Sequence, residues 1–152
     1  RAEYSMRKIS AITILSLIVA FDASAACNVN AMNGVWTTTS ASFVGEAHAG
    51  TCAWSIKNGA MTGSCFMEHP ASAGGNATFD LSGSLELIGT TINDPGHNDN
   101  GFKVCQLKLV GTWGTGATSV WNISLGNGGK AFTSNWSTPA YGAEGVATGI
   151  KQ

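Results

Sequence analysis

Residues Thr51–Phe66, TCAWSIKNGAMTGSCF, decide how this chain folds. Two alternating runs flank Asn58-Gly59. Asn-Gly is the strongest short hairpin signal, because a type I′ turn needs positive φ at both central residues. A two-residue loop sets the register: opposed residue numbers sum to 117, so Lys57 faces Ala60, Ile56 faces Met61, Trp54 faces Gly63 and Cys52 faces Cys65. Counting outward from a hydrogen-bonded 57:60 pair, 52:65 is a non-hydrogen-bonded pair, whose Cα atoms come within about 4.5 Å and so admit a disulfide. Cys52 therefore pairs with Cys65, leaving Cys27 for Cys105. The register also places Cys52, Trp54, Ile56, Met61 and Cys65 on one face, with Ser55, Lys57, Thr62 and Ser64 on the other. One face is buried and one meets water, as in an antiparallel sheet.

The same reading extends outward. Gly34–Val44 is rich in β-formers. Ala77–Ile92 carries Phe79, Leu81, Leu85 and Leu87 on one parity, with Gly83 as a bulge or bend. Phe102–Trp113, Ser119–Leu125, Lys130–Trp136 and Ala143–Ile150 complete a set of seven or eight short strands separated by Gly- and Asn-rich turns. No segment after residue 26 has helical periodicity. The expected fold is all-β, a single antiparallel up-and-down barrel, with a β-sandwich as the alternative. Ser84–Thr90 (SLELIGT) and Gln106–Thr112 (QLKLVGT) are alike at an offset of 22, as two similar strands of one sheet or an old hairpin duplication.

The first 26 residues have a different character. Met6-Arg7-Lys8 is a basic start, Ile9–Phe21 is a 13-residue uncharged stretch, and Ala23-Ser-Ala-Ala26 supplies small residues for cleavage after 25 or 26. This is the order of a secretory signal peptide, with residues 1–5 as an upstream extension. Thirteen residues fall short of the roughly 20 that cross a bilayer. The expected domain is residues 27–152, secreted or periplasmic. An anchor through lipidated Cys27 is the lesser alternative, because Ser24 stands where such leaders carry Leu. Four Cys beyond the leader suit two disulfides in an oxidising compartment. That region holds five Lys, seven acids and no Arg. A nucleic-acid surface needs clustered cations, so that partner class is excluded.

Catalytic motifs are missing: there is no Gly-x-Ser-x-Gly, Cys-x-x-Cys, His-Glu-x-x-His or phosphate-binding glycine loop. No enzyme activity, catalytic residue or cofactor is assigned. A hydrolase using two scattered carboxylates stays as a remote alternative. If the hairpin register runs on, His48 and His69 also oppose each other, on the face of Cys52 and Cys65, with Glu46 and Glu68 nearby. Two imidazoles across a strand pair suit two positions of a zinc or copper site. A third ligand is not evident, so no metal is assigned; if the ladder ends before Gly50 and Pro70, both rings are solvated. Asn93–Gly101 lacks EF-hand spacing and reads as a turn rather than a calcium loop. The five Trp plug the core or, grouped on an interior wall, line a pocket for a flat or apolar ligand.

Several stretches resemble the calycins, the lipocalin and avidin barrels. Gly34-Val-Trp36 is similar to their Gly-x-Trp opening, and Gly59-Ala-Met-Thr-Gly-Ser-Cys65 to the second avidin strand. Leu81-Ser-Gly83, Gly101-Phe-Lys-Val104, Thr118-Ser-Val-Trp121 and Thr133-Ser-Asn-Trp136 are similar to later avidin strands, in order. The resemblance implies an eight-stranded barrel with a ligand at its open end. Trp36, Ser42, Trp121 and Trp136 would be the ligand-binding residues: Ser42, six after Trp36, stands where a biotin-contacting Ser does, and the later Trp where rings stack. Thr38, Cys65 and Met67 depart from the avidin pattern, so the resemblance carries a ligand but not biotin itself. The expected function is non-catalytic binding of a small apolar or heterocyclic ligand. The alternative is a structural or protein-interaction module of the envelope, such as an enzyme inhibitor, with a side-chain-filled interior and an exposed apolar patch.

Overall fold

The computed structural model describes residues 27–45, 48–69, 74–89 and 105–152. The leader and the 93–101 turn lie outside these residues. Eight antiparallel strands form one closed barrel in chain order: β1 (Gly34–Val44), β2 (Ala49–Lys57), β3 (Ala60–Glu68), β4 (Ala77–Gly89), β5 (Cys105–Trp113), β6 (Thr118–Gly126), β7 (Ala131–Thr138) and β8 (Ala143–Lys151). The first strand closes on the last, from Trp36↔Lys151 to Val44↔Glu144. Closure removes the unpaired edges that an open sheet, including a sandwich, would leave.

The β2–β3 hairpin follows the register set by its turn. Asn58 and Gly59 have φ of 51° and 81°, and pairs run from Lys57↔Ala60 to Ala49↔Glu68 through Cys52↔Cys65. Both expected disulfides are formed: Cys52–Cys65, with Cα atoms 3.9 Å apart, and Cys27–Cys105, at 5.2 Å. The Cys27 sulfur is thus taken up in a disulfide and is not available for a lipid thioether. Two disulfides belong to an oxidising environment. Among the described residues no helix is long and apolar enough to cross a membrane.

Alternation holds around the barrel. In β2, Gly50, Cys52, Trp54 and Ile56 are buried while their neighbours are exposed, and Leu107, Leu109, Trp121, Ile123 and Leu125 continue the inner surface. The similar segments of β4 and β5 lie side by side, Leu85 opposite Leu109 and Glu86 opposite Lys108, whose ammonium meets the carboxylate at 3.0 Å on the outer face.

Two details of β4 differ from expectation. Gly83 is not a bulge: its register is unbroken with both Met61 and Gly111, and the shift falls at Leu87/Gly89. The reason for glycine is close approach, since a Cβ there would stand 2.3 Å from the Val110 carbonyl oxygen. Leu87, expected on the inner parity, is 43% exposed where that register breaks.

The two ends of the barrel differ. At the end holding the Asn58-Gly59 turn, a 3₁₀ turn at Val29–Met32 sits against β2 and β4. Its Met32 is fully buried, and Leu85 N–H donates to the Gly59 carbonyl at 2.7 Å. Met32, Trp36, Ile56, Met61 and Leu107 pack this end within one continuous core.

Candidate functional site

The other end is hollow. A cavity of about 350 Å³ lies there, within the range of small-ligand pockets. Its walls are aromatic: Trp54, Phe79, Trp113, Trp121 and Trp136 all line it. Their positions follow from alternation, because each occupies an inward position of β2, β4, β5, β6 or β7.

Glycines opposite the aromatic rings determine how the rings lie. Trp54 is paired with Gly63, Phe132 with Gly149 and Trp136 with Gly145. A Cβ at Gly63 would stand 2.7 Å from Trp54 Cδ1, one at Gly149 2.0 Å from Phe132 Cε1, and one at Gly145 2.4 Å from Trp136 Cζ2. Each ring therefore takes the space that a side chain on its opposite strand would fill. Trp54 then stacks on Phe132 (centroids 5.6 Å, planes 12° apart) and meets the Trp121 ring edge-on at 5.9 Å. These contacts form the floor between the packed end and the hollow.

Polar groups are sparse and placed near the mouth. Trp113 Nε1 donates to Ser119 Oγ at 2.6 Å, and the Ser119 hydroxyl is hydrogen-bonded to that of Thr138. Trp136 Nε1 donates to the Val146 carbonyl at 3.2 Å. Tyr141, in the turn Pro139–Tyr141, donates its hydroxyl to Thr115 Oγ1 at 3.2 Å, linking the β7–β8 and β5–β6 connections over the cavity. Among the described residues Trp54 Nε1 and Ser134 Oγ are buried without a hydrogen-bond partner.

His48 and His69 face each other as the hairpin register requires. Their rings stack with centroids 5.1 Å apart and planes 14° apart, and both line the cavity. His48 also meets Trp136 at 5.4 Å, and His69 meets Phe79 edge-on at 6.5 Å. The ladder thus continues past Gly50, and the rings are half-buried rather than fully solvated. Among the described residues no three His, Cys, Asp or Glu side chains gather into a metal-binding group.

Of the four expected ligand-contacting residues, Trp121 and Trp136 are on the cavity wall. Trp36 and Ser42 are not among its lining residues. Trp36 is fully buried toward the packed end, and its Nε1 donates to the Met32 carbonyl at 2.7 Å. Ser42 stands near the end of β1, where its hydroxyl accepts from His48 N–H at 2.9 Å and its own N–H donates to the His48 carbonyl. Trp54 and Trp113, two of the five Trp that the sequence offers as core plugs or pocket lining, line the cavity together with Phe79, which the sequence places only on an inward parity. Their signal was parity within each strand, which shows that a side chain points inward but not which end of the barrel it reaches.

No protein-family model matches the chain, and no curated protein matches it. Solved structures similar in fold include two designed barrels. One is a fluorescence-activating β-barrel of de novo design, with 13% identity, TM-score 0.50, and 82% of this chain and 96% of that one covered. The other is a redesigned β-barrel, mFAP1, bound to DFHBI, with 11% identity, TM-score 0.56, and 83% and 99% covered. The likeness is therefore to the closed β-barrel as an architecture, and not to the calycins in particular.

Proposed function

We propose that the hollow end of this barrel binds a small planar apolar or heterocyclic ligand without chemically changing it. The observation that carries this reading is a 350 Å³ cavity walled by four tryptophans and a phenylalanine. Flat aromatic walls favour flat ligands, because offset-stacked and edge-on ring contacts add about 0.5–1.5 kcal/mol each beyond area burial. The barrel of mFAP1, similar in fold, is bound to DFHBI, which supports an interior of this kind as a small-molecule site. An interaction module with a filled interior fits less well, since only one end is packed. Binding without turnover fits the lining: among the described residues that form it, the titratable side chains are His48, His69 and Tyr141, and none is a carboxylate. The leader-like start and the two disulfides support export to the periplasm or the exterior.

Titration of the disulfide-bonded protein with planar heterocycles and apolar dyes, followed by tryptophan fluorescence, tests the proposal. Saturable quenching or a spectral shift is expected for at least one class, lost on Trp121→Leu. A flat response across the whole panel would refute it.

A further inference from the structure

The stacked imidazoles have a thioether neighbour. Met67 precedes His69 by two residues on the inner face of β3, and its register partner is Gly50, two residues after His48. The missing side chain at Gly50 is what admits the thioether: a Cβ there would stand 2.6 Å from Met67 Sδ. The sulfur therefore lies over Gly50, one inward row of the ladder from the two rings. Rows on one face are about 6.6 Å apart, so side chains from adjacent rows can meet at one ion. His48, Met67 and His69 all line the same cavity. We propose that these three side chains form a copper(I) site at the mouth of the barrel.

The donor chemistry selects the metal. Zinc sites use thiolate, imidazole and carboxylate. Thioether sulfur is a soft donor that favours copper(I), and imidazole suits copper as well. Among the described residues the surroundings favour low charge. Met67 is 7% exposed, Trp136 and Phe79 flank the two rings, and Glu68, adjacent to both Met67 and His69, is exposed on the outer face. Three neutral donors do not offset the charge of a divalent ion. The cost of taking an ion out of water rises with the square of its charge, so a monovalent ion is favoured in this setting. The indole of Trp136 offers a further cation-attracting face. The proposal requires the two rings to turn out of their stack, so that one nitrogen of each meets the Met67 sulfur at a common point. This site stands independently of the planar-ligand reading.

The test is an anaerobic titration of the disulfide-bonded chain with copper(I), supplied as its acetonitrile complex, in competition with bicinchoninate. One copper(I) per chain is expected. His48→Ala, His69→Ala and Met67→Leu should each weaken binding by about tenfold or more. Met67→Leu keeps the apolar volume, so circular dichroism should show unchanged sheet while the sulfur is lost. X-ray absorption should show one sulfur and two nitrogen neighbours, and Met67→Leu should remove the sulfur. Absence of copper(I) binding, equal affinity in folded Met67→Leu, or tighter binding of zinc(II) than copper(I) would each overturn the assignment.

Discussion

Trp36 and Trp54 are register partners, equally hidden from water, but differ in what their indole N–H groups meet. The indole N–H of Trp36 donates to the Met32 carbonyl, whereas that of Trp54 has no partner among the described residues. Phenylalanine at either site removes the N–H and part of the ring. At position 36 it also strands a buried carbonyl, which costs about 1–3 kcal/mol. Trp36→Phe should therefore lower the urea midpoint more than Trp54→Phe does, by a margin in that range. Equal midpoints would show that the Met32 contact contributes nothing. Trp36→Phe should also leave the ligand response unchanged, because Trp36 does not line the cavity. At Gly145 the argument is steric. A methyl group there would stand 2.2 Å from the Ala41 carbonyl and 2.4 Å from the Trp136 ring. Gly145→Ala should cost about 1–3 kcal/mol in urea unfolding and change Trp136 fluorescence, since the Ala41 backbone cannot move aside without disturbing the β1–β8 pairing.

At the level of elements, the β2–β3 hairpin carries its own instructions. The Asn58-Gly59 turn determines which residues oppose each other, and pairing continues to Ala49↔Glu68. The Cys52–Cys65 bridge is thus a consequence of register rather than its cause, and it closes a short loop of sequence separation 13. Replacing both cysteines with alanine should remove about 3 kcal/mol by the chain-entropy estimate, while circular dichroism still reports sheet. Cys27–Cys105, with separation 78, constrains the unfolded chain more, and its removal should cost about 4–5 kcal/mol on the same basis. Urea midpoints of the two double variants check the order; the reverse order would mean that native-state packing outweighs loop closure. The strands themselves were readable from sequence because alternation is local. β1 begins and ends where its β-forming run does, at Gly34 and Val44. Gly83 was misread because a strand glycine can signal either a bulge or a close neighbour, and the neighbour, Val110, lies 27 residues away in sequence.

For the molecule as a whole, two calls on the interior compete: filling it with side chains and leaving room in it. At one end the 3₁₀ turn at Val29–Met32 and its Met32 side chain complete the packing. At the other, the glycine opposite Trp136 lets its indole lie against the wall, and a cavity is left above the Trp54 floor. The amino-acid sequence by itself determined the strands, the hairpin register, the Cys52–Cys65 disulfide and the opposition of His48 to His69, because each rests on a two-residue period or a short turn; Cys27–Cys105 followed by elimination. Tertiary structure alone decided that β1 closes on β8, which end is hollow, and that Trp121 and Trp136 line the hollow while Trp36 is sealed below it. Strand parity tells only whether a side chain faces in. Its height along the barrel axis, and so its neighbours, depends on the stagger accumulated around all eight strands.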